Sequence, residues 1–267
     1  MNKWNCLIVL LLLTACSNNN DEKAPGELAK NEMPDNVRTL YKQAEQHPDS
    51  VGLRLRLVDA LDSLGAFKQA NGEMDSLLRK DSLNYGLWYR KALLQQNSRD
   101  TMGALRSYRY AIRIYPSPDA ILAAANLLAE KKDSTALMLT RQIREQRLGG
   151  EYEAHTYFIA GIYFARTGNP QKATELFNAC INIDYHYMEA YMEKGFLLFE
   201  AKKTAEAAQV FRTVVTIKNT YADGYYWLAK CEEALHRPTE AVANYQRALV
   251  LDPGIKEATE GLKRLGR

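Results

Sequence analysis

The chain's four histidines and four cysteines are the side chains best suited to bind metal, move protons or attack a substrate. The histidines are His47, His155, His186 and His236. None stands three or four residues from another histidine or from a cysteine, the spacing that puts two ligands on one helix face. H-E-x-x-H does not occur, nor does the G-x-S-x-G elbow that presents a nucleophilic serine. Neither phosphate loop, G-x-x-x-x-G-K-[ST] or G-x-G-x-x-G, is present. The expectation is therefore a non-enzyme with no catalytic residue, no metal and no cofactor. Cys180 and Cys231 stand at helical positions that call for small apolar side chains, and they are read as such. They lie in non-adjacent repeats, too far apart for a disulfide.

Cys6 and Cys16 belong to a different kind of segment. After Lys3, residues 6–13 form the apolar run CLIVLLLL, too short for a stable membrane-spanning helix. Leu13-Thr14-Ala15-Cys16 follows and resembles a bacterial lipobox. The resemblance implies that residues 1–15 are a lipoprotein signal peptide, and that Cys16 carries diacylglycerol on sulfur and an acyl chain such as palmitate on nitrogen. Several acyl chains on one residue suffice as an anchor. Residues 16–34 are polar, with Pro and Gly and no apolar period, and read as a tether. Ser17 favours the outer membrane over the inner in that class of lipoprotein. Asp21-Glu22 either resembles a surface-export signal or is part of a charged tether. The expected location is the bacterial outer membrane, on its periplasmic or its surface face.

The rest of the chain is organised by a repeat. Ala222–Pro253 reads as two amphipathic helices around the turn His236-Arg237-Pro238, with large and small residues alternating on one face. The pattern recurs at intervals of 34 residues: Tyr191, Gly195, Ala207 and Phe211, then Tyr157, Gly161, Ala173 and Phe177. Units are expected near residues 51–84, 85–118, 119–153, 154–187, 188–221 and 222–255. The third fits loosely, and its second helix runs into Gly149-Gly150, a candidate hinge. Capping helices are expected at 35–47 and 256–265. The period, the early aromatic, the following Gly or Ala, and the Ala–aromatic–Ala ladder resemble the tetratricopeptide repeat family. That resemblance implies an all-α fold, a right-handed α-solenoid of stacked helix-turn-helix units over residues 35–267. Arg54 and Val58 depart from it, where an aromatic and a small residue are usual.

Such arrays bind partner segments along a concave groove lined by the first helices. The candidate stripe is Tyr89 and Leu93, then Leu127 and Glu130, then Phe158 and Ile162, then Met192, Phe196 and Phe199, and last Tyr226 and Lys230. These residues either hold a partner or fill a narrow interior. Charge is nearly balanced, 35 basic against 32 acidic residues, with no dense basic run, so nucleic acid is not an expected partner. The Lys and Asn pattern that clamps acidic chaperone tails is absent. The reading is a membrane-anchored adaptor or assembly factor that binds a protein or peptide of the cell envelope, of undetermined oligomeric state. The alternative is a glycan-binding surface lipoprotein, suggested by 16 Tyr and 3 Trp.

Overall fold

A computed structural model describes residues 28, 29 and 32–267. The expected leader, Cys16 and most of the expected tether lie outside the described residues. Among those residues there are fourteen helices and no strand, an all-α solenoid. The chain divides into two compact units, the first ending at Glu73 and the second starting at Met74.

The first unit holds α1 (Asp35–Gln46), α2 (Val51–Ser63) and the start of α3 (Phe67–Lys80). Ser50 caps α2 by accepting from the Leu53 amide at 3.4 Å. Leu57, Leu61 and Ala70 are fully buried, and Val58 packs at 4% exposure. Arg54 forms an ion pair with Glu73 on α3. The Gln69 amide brackets Leu28, donating to its carbonyl at 2.6 Å and accepting from its N–H at 3.2 Å.

The second unit contains five hairpins. They are α4 (Tyr85–Asn97) with α5 (Thr101–Ile114), α6 (Pro118–Glu130) with α7 (Thr135–Glu145), and α8 (Gly150–Arg166) with α9 (Pro170–Ile183). Then come α10 (Met188–Glu200) with α11 (Thr204–Ile217) and α12 (Ala222–Ala234) with α13 (Pro238–Leu251), closed by α14 (Lys256–Arg264). From α6 to α12, each first helix packs on its own second helix and on the preceding one. The approach is close because a ring on one helix meets a residue without a side chain on another. A Cβ on Gly161 would lie 2.5 Å from the Phe177 ring, and one on Gly195 would lie 2.5 Å from Phe211.

Hairpin turns share one device. Gly65, Arg99, Lys132, Gly168, Lys202 and His236 all take positive φ. Each N–H, and that of the next residue, bonds back to the last helical turn; Lys202 reaches Phe199 and Lys203 reaches Leu198, both as carbonyl acceptors. These residues mark the true period. Arg99 to Lys132 is 33 residues and Lys132 to Gly168 is 36, whereas the other intervals are 34. The irregularity is thus confined to α6, α7 and the start of α8. Helix α7 has 11 residues where α5, α9, α11 and α13 have 14. Gly149, at φ 111°, starts α8 at Gly150. The added first turn carries Tyr152, whose hydroxyl donates to Asp119 at 3.3 Å. Helices α7 and α8 stay packed on each other across this break.

Candidate functional site

The left-handed turn residues supply a register for the first helices. Ten residues before each of the five in the second unit lie Tyr89, Leu122, Phe158, Met192 and Tyr226; six before lie Leu93, Asn126, Ile162, Phe196 and Lys230. The second helix of this series, α6, begins at Pro118, so Leu122 and Asn126 occupy the stripe. Leu127 does not: it packs on the cluster around Tyr108, which corrects the expectation.

Five of the expected residues, Glu130 among them, meet in one open trough. Phe158, Ile162, Met192 and Phe196 line a volume of about 400 Å³ together with Asn126, Tyr221 and Trp227. Ile162 and Met192 are nearly sealed, at 1% and 5% exposure, and form the floor. Phe158, Phe196 and Phe199 are half-buried. The trough continues past Phe196 and Trp227 to Phe199, Leu197 and Ala165, a further 530 Å³ or so. At its other end Asn126 also borders a volume of about 350 Å³ that includes Tyr89, Gln96 and His155. The Asn126 side-chain oxygen is buried and has no hydrogen-bond partner among the described residues. Leu93 is exposed and borders none of these three volumes.

Trp227 is missing from the expected stripe yet lies at its centre. Its ring centroid is 4.7 Å from Phe196, 5.8 Å from Phe199 and 5.9 Å from Phe211, on which it stacks. The Lys230 ammonium sits 4.3 Å over the Trp227 centroid and 5.7 Å from Tyr226. The register explains the omission. Trp227 stands nine residues before His236, where other repeats carry Arg90, Ala123, Ile159 and Glu193. No consensus aromatic occupies that place.

The rim is acidic. Glu130, Glu189, Glu193 and Asp223 border the central volume, with Asp119 and Glu151 at the α4–α8 end. Arg166 ties two of them. Its guanidinium donates to Glu130 at 2.8 and 3.1 Å and to Glu193 at 3.0 and 3.0 Å, stapling α6, α8 and α10. Hydrogen bonds from Arg166 to Glu193, then to Glu130, raise the guanidinium pKa further above its ordinary value. No cation lies within ion-pair distance of Glu151, Glu189 or Asp223 among the described residues. His155 sits edge-on to Phe158 at 6.4 Å and Tyr187 at 6.0 Å. Burial lowers its pKa, with Glu189, Asp119 and Glu151 opposing, so it is neutral at neutral pH.

The two described cysteines are shielded. Cys180 and Cys231 are free, buried thiols, each pushed up to about 12 chiefly by burial. No group of three or more His, Cys, Asp or Glu is placed to hold a metal among the described residues.

Hairpins stacked in register around a first-helix trough define an α-helical repeat solenoid. Residues 222–255 match the model of the tetratricopeptide repeat family. A crystal structure of a tetratricopeptide repeat protein from Parabacteroides merdae superposes with a TM-score of 0.69 at 19% identity, covering 86% of this chain and 91% of that one. That of PilW, a widely conserved type IV pilus biogenesis factor, gives 0.62 at 17% identity over 79% and 97% of the two chains. By sequence, the human protein O-mannosyl-transferase TMTC3 is 25% identical over 200 residues, 68% of this chain and 22% of that protein. The chain spans 22% of the length of the curated relatives it matches. The chain carries a tetratricopeptide repeat at residues 222–255 and shares the fold of these solenoids.

Proposed function

We propose that this chain is a non-enzymatic adaptor that holds a short segment of a partner protein in the first-helix trough. One observation carries the reading: an open trough, walled by Phe196 and Trp227 over Ile162 and Met192, with a rim whose carboxylates Glu189 and Asp223 lack partners among the described residues. An apolar bed with unpaired acids suits a segment that alternates Lys or Arg with a large apolar side chain. The apolar residue would lie on Phe196 and Met192, and the cations would reach Glu189 and Asp223. A sugar-stacking role is less suited, because Phe211 stacks on the Trp227 ring and Lys230 lies over it.

The site of action we propose is the bacterial cell envelope, with the chain anchored through lipid on Cys16. This part rests on residues 1–16 of the sequence. Among the described residues no helix is long and apolar enough to cross a membrane. Labelled palmitate incorporated by the wild type and lost in Cys16→Ser, with release from the membrane fraction, is the expected result. For the trough, affinity purification of the native chain followed by Phe196→Ala is the test. Loss of a co-purifying protein with unchanged thermal melting supports the reading. Retention of every partner, or binding to a polysaccharide column that ignores the substitution, would refute it.

A further inference from the structure

A second recess lies on the side of the second helices, between α5 and α7 with α6 beneath. It encloses about 540 Å³. Leu105 and Ile112 from α5, Ala124 and Leu128 from α6, and Leu139 from α7 form an apolar bed. Ile112, Leu128 and Leu139 continue inward to the cluster around Ile121 and Phe177. The recess has a local cause. Eight residues before its left-handed turn residue, α6 carries Ala124, as α8 carries Ala160, where α4, α10 and α12 carry the larger Lys91, Lys194 and Leu228. The shortened α7 also supplies fewer side chains to cover α6.

The rim is opposite in sign to that of the trough. Arg106, Arg109 and Arg113 follow one another along α5, with Lys131 across the cleft and Asp133 as the single acid of the lining. All four cations are exposed, and no carboxylate pairs with any of them among the described residues. Asp133 is already engaged, accepting from the Thr135 amide at 2.8 Å. Met102, half exposed at 53%, extends the apolar bed at one end.

We propose that this cleft is a second docking site and that its occupant is an acidic amphipathic helix of a partner protein. The spacing of the cations selects that occupant. Arg106, Arg109 and Arg113 recur at one-turn intervals over roughly 10 Å of α5. A ligand that satisfies all three must spread negative charge along its length, as Asp and Glu at helical spacing do. A fatty acid or a single headgroup concentrates its charge at one end and leaves two guanidiniums unpaired. The apolar bed runs parallel to the cations from Met102 to Ile112, roughly 15 Å, the length of a three-turn helix.

The test uses the full chain and a lactam-bridged helical peptide of roughly four turns. One face of the peptide bears leucines, and glutamates flank them at one-turn spacing. The expected result is saturable binding that weakens about tenfold in R109E/R113E and stays within about threefold in R109K/R113K, with the same thermal melting for all three. Equal affinity for wild type and R109E/R113E would overturn the proposal, as would equal binding of a peptide whose glutamates are lysines. Arginine-dependent binding of phosphatidylglycerol vesicles that displaces the peptide would overturn it too, by assigning the cleft to a lipid surface.

Discussion

The trough and the cleft are both apolar, yet they differ in what lies beneath them and what surrounds them. Under the trough is an aromatic stack, Phe211 below Trp227 below Lys230, with Phe196 alongside. Under the cleft is Ala124 on a helix of small residues. Carboxylates rim the first and guanidiniums the second. The two rims thus carry opposite signs in a chain whose charge is nearly balanced overall. The difference teaches that net charge is a poor guide to partners in a solenoid. Each recess presents its own potential, and steering depends on the local field.

The largest expected effect tests the floors against each other. Phe211→Ala empties the fully buried ring beneath Trp227 and is expected to cost about 3–5 kcal/mol in urea unfolding. Leu128→Ala, in the half-buried cleft floor, should cost roughly 1–2 kcal/mol. Similar losses at both sites would erase the contrast between a rigid bed and a shallow one.

Next comes the staple. Arg166→Ala removes the bonds joining Glu130 and Glu193 while leaving both carboxylates on the trough rim. The groups are partly exposed, so the expected loss is about 1 kcal/mol, discounted for solvent screening. At the same time the trough gains free negative charge, and a Lys-rich apolar peptide should bind it more tightly at low salt. Weaker peptide binding with unchanged stability would mean that Arg166 contacts the ligand instead of holding the rim.

The smallest effect is acid sensitivity at the trough. Burial holds the His155 pKa below its ordinary 6.5. The unfolded chain therefore takes up the proton first, and the stability tied to neutral His155 is complete above pH 6.5 and declines as pH falls below it. Thermal melting between pH 7.5 and 5.5 should fall further in wild type than in His155→Phe. Equal pH slopes would place the imidazole in water.

Much of the fold was legible because a helical hairpin this short must bury its face on copies of itself, so the signal repeats. Tyr191, Gly195 and Phe211 announced packing that Gly195 and Phe211 now show as direct contact. The third repeat was legible as irregular but not in register. Leu127 was expected on the stripe because the unit was counted from Asp119, whereas Ser117 caps the helix and Pro118 starts it. Trp227 escaped for a different reason: a residue that matches no repeat position carries no periodic signal, and its neighbours Phe196, Phe199 and Phe211 come from two other helices. Arg166 was hidden likewise, since Glu130 is 36 residues before it and Glu193 is 27 after. The cleft depends on Ala124, a small residue whose consequence appears only when α5 and α7 flank it.

The most direct measurement is a fluorescence titration of Trp227, in a background with Trp4→Phe and Trp88→Phe, against peptides that share a central Phe and differ in charge. The account predicts a saturable change in Trp227 emission with the Lys and Arg peptide, weakening steeply with added salt and lost in Glu189→Lys with Asp223→Lys. An equal response to the Asp and Glu peptide, or no response to either, would contradict it.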